Sequence, residues 1–140
     1  MILLDTNVVS EFMKPEPSET VGDWLDAQQA DALYLSSITM AELRYGAALV
    51  PEGRRRRQLE TAINTVVRQD FEGRVLPFDD LAAECYARIR ALRRARGAPV
   101  GAMDAMIAAI AFAREATLAT RNVRDFEGCG IEVIDPFSAG

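Results

Sequence analysis

The sequence predicts an α/β domain, with a central parallel sheet of four to five strands covered by helices on both faces. Three observations predict it. Short apolar runs of strand length alternate with longer segments of helical periodicity, the pattern of parallel strands joined by crossover helices. The 140 residues match one domain, large enough to bury roughly two-thirds of its unfolded surface. No repeat, low-complexity tract or long linker divides the chain, so one domain over 1–140 is expected.

The elements follow in order. Ile2, Leu3 and Leu4 make a buried strand, and a short helix from about Asn7 must stop before Pro15, which cannot continue it. Ser18 caps a helix in which Val21, Trp24, Leu25 and Gln28 share a face. "ALYLS" (32–36) is the second strand. Thr39 begins a helix that runs to about Leu49 and is broken by Pro51, Glu52 and Gly53. The next helix carries Leu59, Ala62, Ile63, Val66 and Val67 at helical spacing. "RVLPF" (74–78) is the third strand. Asp79 starts a long helix with a face of Ala82, Cys85, Tyr86, Ile89 and Leu92, ended by Gly97. Residues 102–115 are apolar nearly all round and predict a buried helix, followed by strands at "TLAT" (117–120) and "IEVID" (131–135). The pattern does not give the strand order.

Composition narrows the chemistry. Hydrophobic residues make up 49% and charged residues 26%, an ordinary globular balance. No apolar stretch approaches the roughly 18 residues of a membrane span, and the opening residues lack a basic leader. A soluble cytoplasmic protein with no membrane contact is expected. Cys85 and Cys129 are the only cysteines, and Cys85 falls on an apolar helix face, so it reads as a reduced core residue. The chain has no histidine, which excludes Ser-His-Asp and Cys-His machinery and histidine-dependent zinc sites. Catalysis must then run on carboxylates, hydroxyls, amides, arginine or a hard metal. Of sixteen basic residues only Lys14 is a lysine. Arginines gather at Arg54 to Arg57 and at Arg88, Arg90, Arg93, Arg94 and Arg96, as solvated helix faces or as contacts to phosphate or a partner.

The acids are more informative. In an open parallel sheet, ligands bind outside the carboxyl ends of the strands, where the strand order reverses. Asp5 ends the first strand. Glu42 lies six residues past Ser36, on the first turn of the helix after the second strand, and Asp125 lies five past Thr120. Asp104 opens the buried helix that feeds the fourth strand, so its start sits at the same rim. Each has a plain structural alternative. Asp5 fits an N-cap, and Thr39 to Glu42 spell a Thr-x-x-Glu capping box. Asp125 fits a cap within "NVRDF". Asp104, among apolar neighbours, needs a partner, because an unpaired buried charge costs several kcal/mol. Asp79 and Asp80 follow the third strand and read as a helix N-terminus.

Carboxylates meeting without a counter-charge repel one another and raise their pKa values. A divalent cation resolves this. Mg²⁺ or Mn²⁺ prefers oxygen donors, and Mg²⁺ takes one or two carboxylates while keeping several waters. The other acids can then hold waters or act as general base, in a one- or two-metal hydrolysis at a phosphoryl group.

Four stretches now carry a resemblance: "MILLDTNVVSE", "SSITMAELRYGA" around Glu42, "GAMDAMIAAIA" around Asp104, and "LATRNVRDFEG". In this order, over essentially the whole chain, they resemble the PIN-domain ribonucleases, most closely the VapC-type toxins of bacterial toxin–antitoxin pairs and their FitB-like plasmid-stability branch. The resemblance implies a three-layer α/β/α sandwich, a Mg²⁺- or Mn²⁺-dependent endoribonuclease, a homodimer, and a small antitoxin that blocks the site and alone contacts operator DNA. It implies metal-binding or catalytic acids at Asp5, Glu42 and Asp104, and a fourth acid at either Asn122 or Asp125. Since Asn122 is an amide, Asp125 is the available acid. Asp5 and Asp104 are expected to bind the metal, Glu42 and Asp125 to position waters and the nucleophile, and Thr6, Asn7, Thr120 and Asn122 to support them. Two other readings remain. A phosphorylated receiver domain would need a lysine opposite its acid, and Lys14 is the only one. A catalytically silent partner of a DNA-binding antitoxin would use the acidic rim to grip arginine.

Overall fold

In a computed structural model that describes residues 1–138, the chain runs β1 (Ile2–Leu4), α1 (Thr6–Phe12), α2 (Glu19–Asp26), β2 (Leu33–Ser36), α3 (Ser37–Ala48), α4 (Arg54–Thr65), β3 (Val75–Leu76), α5 (Asp80–Ala95), α6 (Ala102–Ala113), β4 (Thr117–Ala119) and β5 (Val133–Ile134). All strand pairs are parallel, in the order β3-β2-β1-β4-β5. The order reverses between β1 and β4, so the ligand-binding crevice of such a sheet falls where these two strands end.

Side-chain alternation along β1 explains why both sides of the sheet are covered. Leu3 packs into a core formed mainly with α5 and α6, whereas Leu4 packs into a second core with Val8, Val9, Leu33, Leu35 and Phe71. β4 repeats this, with Leu118 in the first core and Ala119 in the second. The next residue on each strand returns to the α6 side. Those residues are Asp5 and Thr120, and a hydrogen bond joins them. α6 supplies Ala105, Ile107, Ala108, Ala109, Ile110 and Ala111 to the interior, in accord with its apolar sequence.

Several boundaries differ from expectation for identifiable reasons. α1 begins at Thr6, with Asp5 as its N-cap. α3 begins at Ser37 because Ser36, not Thr39, is the cap: its Oγ accepts the Thr39 N–H at 3.0 Å. β3 keeps only Val75 and Leu76, since Pro77 offers no N–H and the Phe78 N–H bonds Ser37 Oγ instead. β5 is likewise confined to Val133 and Ile134. The stripe through Val66 and Val67 continues α4 as a wider π-helical turn, closed by Phe71 N–H to Val66 C=O at 2.9 Å. On α5 the buried line is Ala82, Cys85, Ile89 and Arg93. Leu92, placed by spacing on the apolar face, is 51% exposed. Asp79 caps α5 by accepting the Ala82 N–H at 3.0 Å.

Candidate active site

Asp5 is 5% exposed at the end of the central strand and is held on both oxygens. Oδ1 accepts the Thr6 N–H at 2.8 Å, and Oδ2 accepts from Thr120 Oγ1 at 2.7 Å and Asn7 Nδ2 at 3.3 Å. Capping and site placement are therefore the same act. The fully buried Thr120 donates to Asp5 while accepting from Asn7 Nδ2 and from the Asn122 N–H. Asn7 Oδ1 accepts the Arg121 N–H at 3.1 Å. Asp5, Asn7 and Thr120 thus tie the ends of β1 and β4 together.

Glu42 is not in a capping box. With Ser36 as cap it stands on the second turn of α3, and Oε1 accepts from Thr6 Oγ1 at 2.7 Å. That contact uses the only proton of Thr6, so Thr39 Oγ1 is the donor across the 3.0 Å gap to Thr6 Oγ1. The chain Thr39 to Thr6 to Glu42 fixes one carboxylate oxygen and leaves Oε2 without a hydrogen bond among the described residues.

Asp104 is half-buried on the first turn of α6. Its pKa is raised, first by burial and then by the charges of Asp5, Asp125 and Glu42. That of Asp5 is raised by burial against the lowering effect of its hydrogen bonds, with a further push from Asp125. The four acids thus share one electrostatic neighbourhood. Asp125 itself is exposed, on a 3₁₀ turn (Val123–Phe126) that follows β4. Asn122 precedes that turn with an exposed side chain that makes no cap bond; its backbone N–H is what reaches Thr120. None of the four acids has a cation within ion-pair distance among the described residues: the pairs are Lys14–Glu11, Arg56–Glu60 and Arg114–Asp79.

These donors fit a hard divalent cation. They are oxygen only, three of them are buried or half-buried, and the pKa values of Asp5 and Asp104 are raised by burial and by neighbouring carboxylates. Among the described residues no three Asp, Glu or Cys side chains stand close enough to hold an ion by themselves. The arrangement is an open rim, suited to an ion that takes one or two carboxylates and keeps its waters, as Mg²⁺ does. A well-formed cavity of about 180 Å³ lies elsewhere, lined by Cys85, Ile89, Leu92, Phe112 and Cys129 among others.

Two residues packed around the acids take places that the sequence pattern does not give. Thr39 was read as the helix cap, whereas it is fully buried and feeds the Glu42 relay. Arg93, which the sequence groups with arginines that read as solvated helix faces or as contacts to phosphate or a partner, is buried and bonds the Asp125 carbonyl. The signal for Arg93 was its spacing of four from Ile89 and eight from Cys85, the same buried line.

A receiver domain does not fit. Such a doubly wound sheet has the order 2-1-3-4-5, and the Lys14 ammonium is engaged by Glu11 at 2.6 Å. A parallel sheet ordered 3-2-1-4-5 with an unpaired acid rim at its switch point defines a class, and the PIN domain family matches residues 2–128. The chain belongs to the PIN-domain family. Within it the chain is similar to the plasmid stability protein StbB of Pseudomonas syringae pv. tomato, 48% identical over 139 residues and covering 99% of this chain and 100% of that one. It is also similar to the VapC ribonuclease Y4jK of Sinorhizobium fredii, 44% identical over 98% of both chains. A solved structure of FitAB bound to the IR36 DNA fragment contains a chain of the same fold, with a TM-score of 0.92, 40% identity, and coverage of 100% of this chain and 98% of that one. No helix among the described residues is long and apolar enough to cross a membrane.

Proposed function

We propose that the chain is one PIN-like domain over 1–140 acting as a metal-dependent endoribonuclease, the toxin of a toxin–antitoxin pair. The observation that carries this reading is the pair Asp5 and Asp104, withdrawn from water at the sheet's switch point with raised pKa values and no cation beside them. The similarity to the VapC ribonuclease Y4jK supports the chemistry.

Asp5 and Asp104 would hold Mg²⁺ or Mn²⁺, with Thr6, Asn7 and Thr120 keeping the Asp5 carboxylate oriented. A cation bound there would supply the charge that stabilises a phosphoryl oxygen and makes water nucleophilic near neutral pH. Glu42 Oε2, free while Oε1 is tied to Thr6, takes the proton of the attacking water. Asp125, exposed beside the other acids, holds a further water. The chain works in the cytoplasm as a homodimer, silenced by a cognate antitoxin. Any operator DNA is contacted through the antitoxin, a reading supported by the similarity to FitAB on DNA. That same similarity favours a second reading, a silent partner that only stabilises the antitoxin.

Both are decided by incubating an RNA pool with the purified chain, freed of partners, in Mg²⁺, Mn²⁺ or chelator beside a folded Asp5→Asn variant. The nuclease reading expects cleavage that needs metal and is lost in the variant. Absence of cleavage with intact antitoxin binding selects the silent partner.

A further inference from the structure

Arg93 is the only charged side chain of α5 that the fold hides, 8% exposed while Arg88, Arg90 and Arg94 stand in solvent. No carboxylate pairs with it among the described residues. Its guanidinium is divided between two loops. Nε donates to the Ala98 carbonyl at 2.7 Å, in the loop that leads to α6 and Asp104. Nη1 donates to the Asp125 carbonyl at 2.9 Å and lies 3.4 Å from Cys129 Sγ, in the connection from β4 to β5. The Ala98 N–H returns a bond to the Arg93 carbonyl at 3.0 Å, so the first loop is gripped from both sides. The second loop lies against Arg93 of α5 and against Arg96, the residue that ends that helix. At Gly128, φ 75°, an added Cβ would meet Arg96 Nη1 at 2.8 Å and Arg93 Cδ at 3.7 Å.

We infer that Arg93 is a positioning residue for the metal centre, holding Asp125 in place against Asp104 by clamping both of their loops to α5. The inference rests on the metal-site reading above. Burying a guanidinium with no counter-ion is costly, and here only backbone carbonyls and a thiol offset it. The planar fork is what the position uses: two differently directed N–H groups reach acceptors on different loops, which the single point of an ammonium cannot reproduce. Oxygens around a metal need such outer support, and its removal typically lowers metal affinity or activity by about ten- to a hundredfold.

The test compares wild type, Arg93→Gln and Arg93→Lys as full-length chains, by Mn²⁺ titration calorimetry, amide hydrogen exchange and RNA cleavage. Both variants are expected to bind Mn²⁺ about tenfold or more weakly, with kcat falling more than KM. Faster exchange is expected at 98–104 and 122–129 but not in β1 or α3. Arg93→Lys keeps the charge and is expected to fail as Arg93→Gln does; it carries the test if the glutamine variant does not fold. Wild-type Mn²⁺ affinity in a folded variant overturns the inference, whether exchange is unchanged or raised throughout the chain. A wild-type chain that binds Mn²⁺ but cleaves no RNA refutes the nuclease reading alone, and affinity and exchange still decide Arg93. A wild-type chain that binds no Mn²⁺ overturns both.

Discussion

Arg93 and Asp104 carry opposite charges, both are drawn in from solvent, and neither has an ion-pair partner among the described residues. The fold treats them differently. Around Arg93 the donors meet carbonyls of Ala98 and Asp125, so the charge is satisfied within the protein. Around Asp104 burial and three other acids all raise the pKa. The first environment is closed and structural. The second is open, and its negative charge has no counter-charge among the described residues. A charge that the chain leaves unpaired is a better guide to function than one that it merely buries.

The largest effect that sharpens this contrast is expected from Asp104→Asn. Metal-dependent cleavage should fall by about a hundredfold or more, while the metal-free protein melts at a higher temperature at neutral pH. The sign follows from linkage. The folded-state pKa values of Asp5 and Asp104 lie above the ordinary 3.8. Their contribution to stability is therefore fully present below that value and lost as pH rises through the raised ones. Scanning calorimetry in chelator checks it, and a lower melting temperature would show that the carboxylate makes a bond the fold requires.

Next in size is Thr6→Val, which cuts the hydroxyl relay to Glu42 and strands the buried Thr39 hydroxyl. Cleavage should drop by about ten- to a hundredfold and stability by about 1–3 kcal/mol, read by kcat and by urea denaturation. Acid pH offers a milder perturbation. Under the proposed function, protons must leave Asp5 and Asp104 before a metal binds, so cleavage should fade as pH falls through their raised pKa values, and the limb should move to lower pH as Mn²⁺ is raised. A limb that ignores Mn²⁺ concentration would remove these two acids from the ion. The smallest change is expected from Asn122→Ala. The exposed side chain makes no cap bond and the backbone N–H that reaches Thr120 survives, so activity should stay within about 0.5 kcal/mol, roughly twofold. A tenfold loss in that variant would transfer the fourth position from Asp125 to Asn122.

The sequence made β1, the buried α6 and the rim acids legible because each rests on local pattern: an apolar run, a helix apolar all round, and carboxylates spaced just past strand ends. What it hid depends on contacts distant in the chain. Glu42 looked like a capping box, since Thr-x-x-Glu is spelled correctly; Ser36 took the cap instead and freed Glu42 for Thr6, 36 positions away. Leu92 and Arg93 exchanged roles because the buried line of α5 steps 85, 89, 93, and polarity alone cannot say that two carbonyls await a guanidinium there. Strand order was invisible for the same reason, as was the brevity of β3 beside Pro77.

The placement of β1 in the middle of the sheet has a consequence for synthesis. The strand made first pairs with one made near the end, and the Asp5–Thr120 bond joins residues 115 apart. At the usual pace of about 5–20 residues per second, Asp5 waits roughly 6–23 s for its partner to be polymerised. During that interval the central strand has one edge unfilled and the carboxylate has no floor. Under the proposed function, a nascent chain is harmless to the RNA around it until almost all of it has been made, and prematurely terminated products that lack β4 are inert.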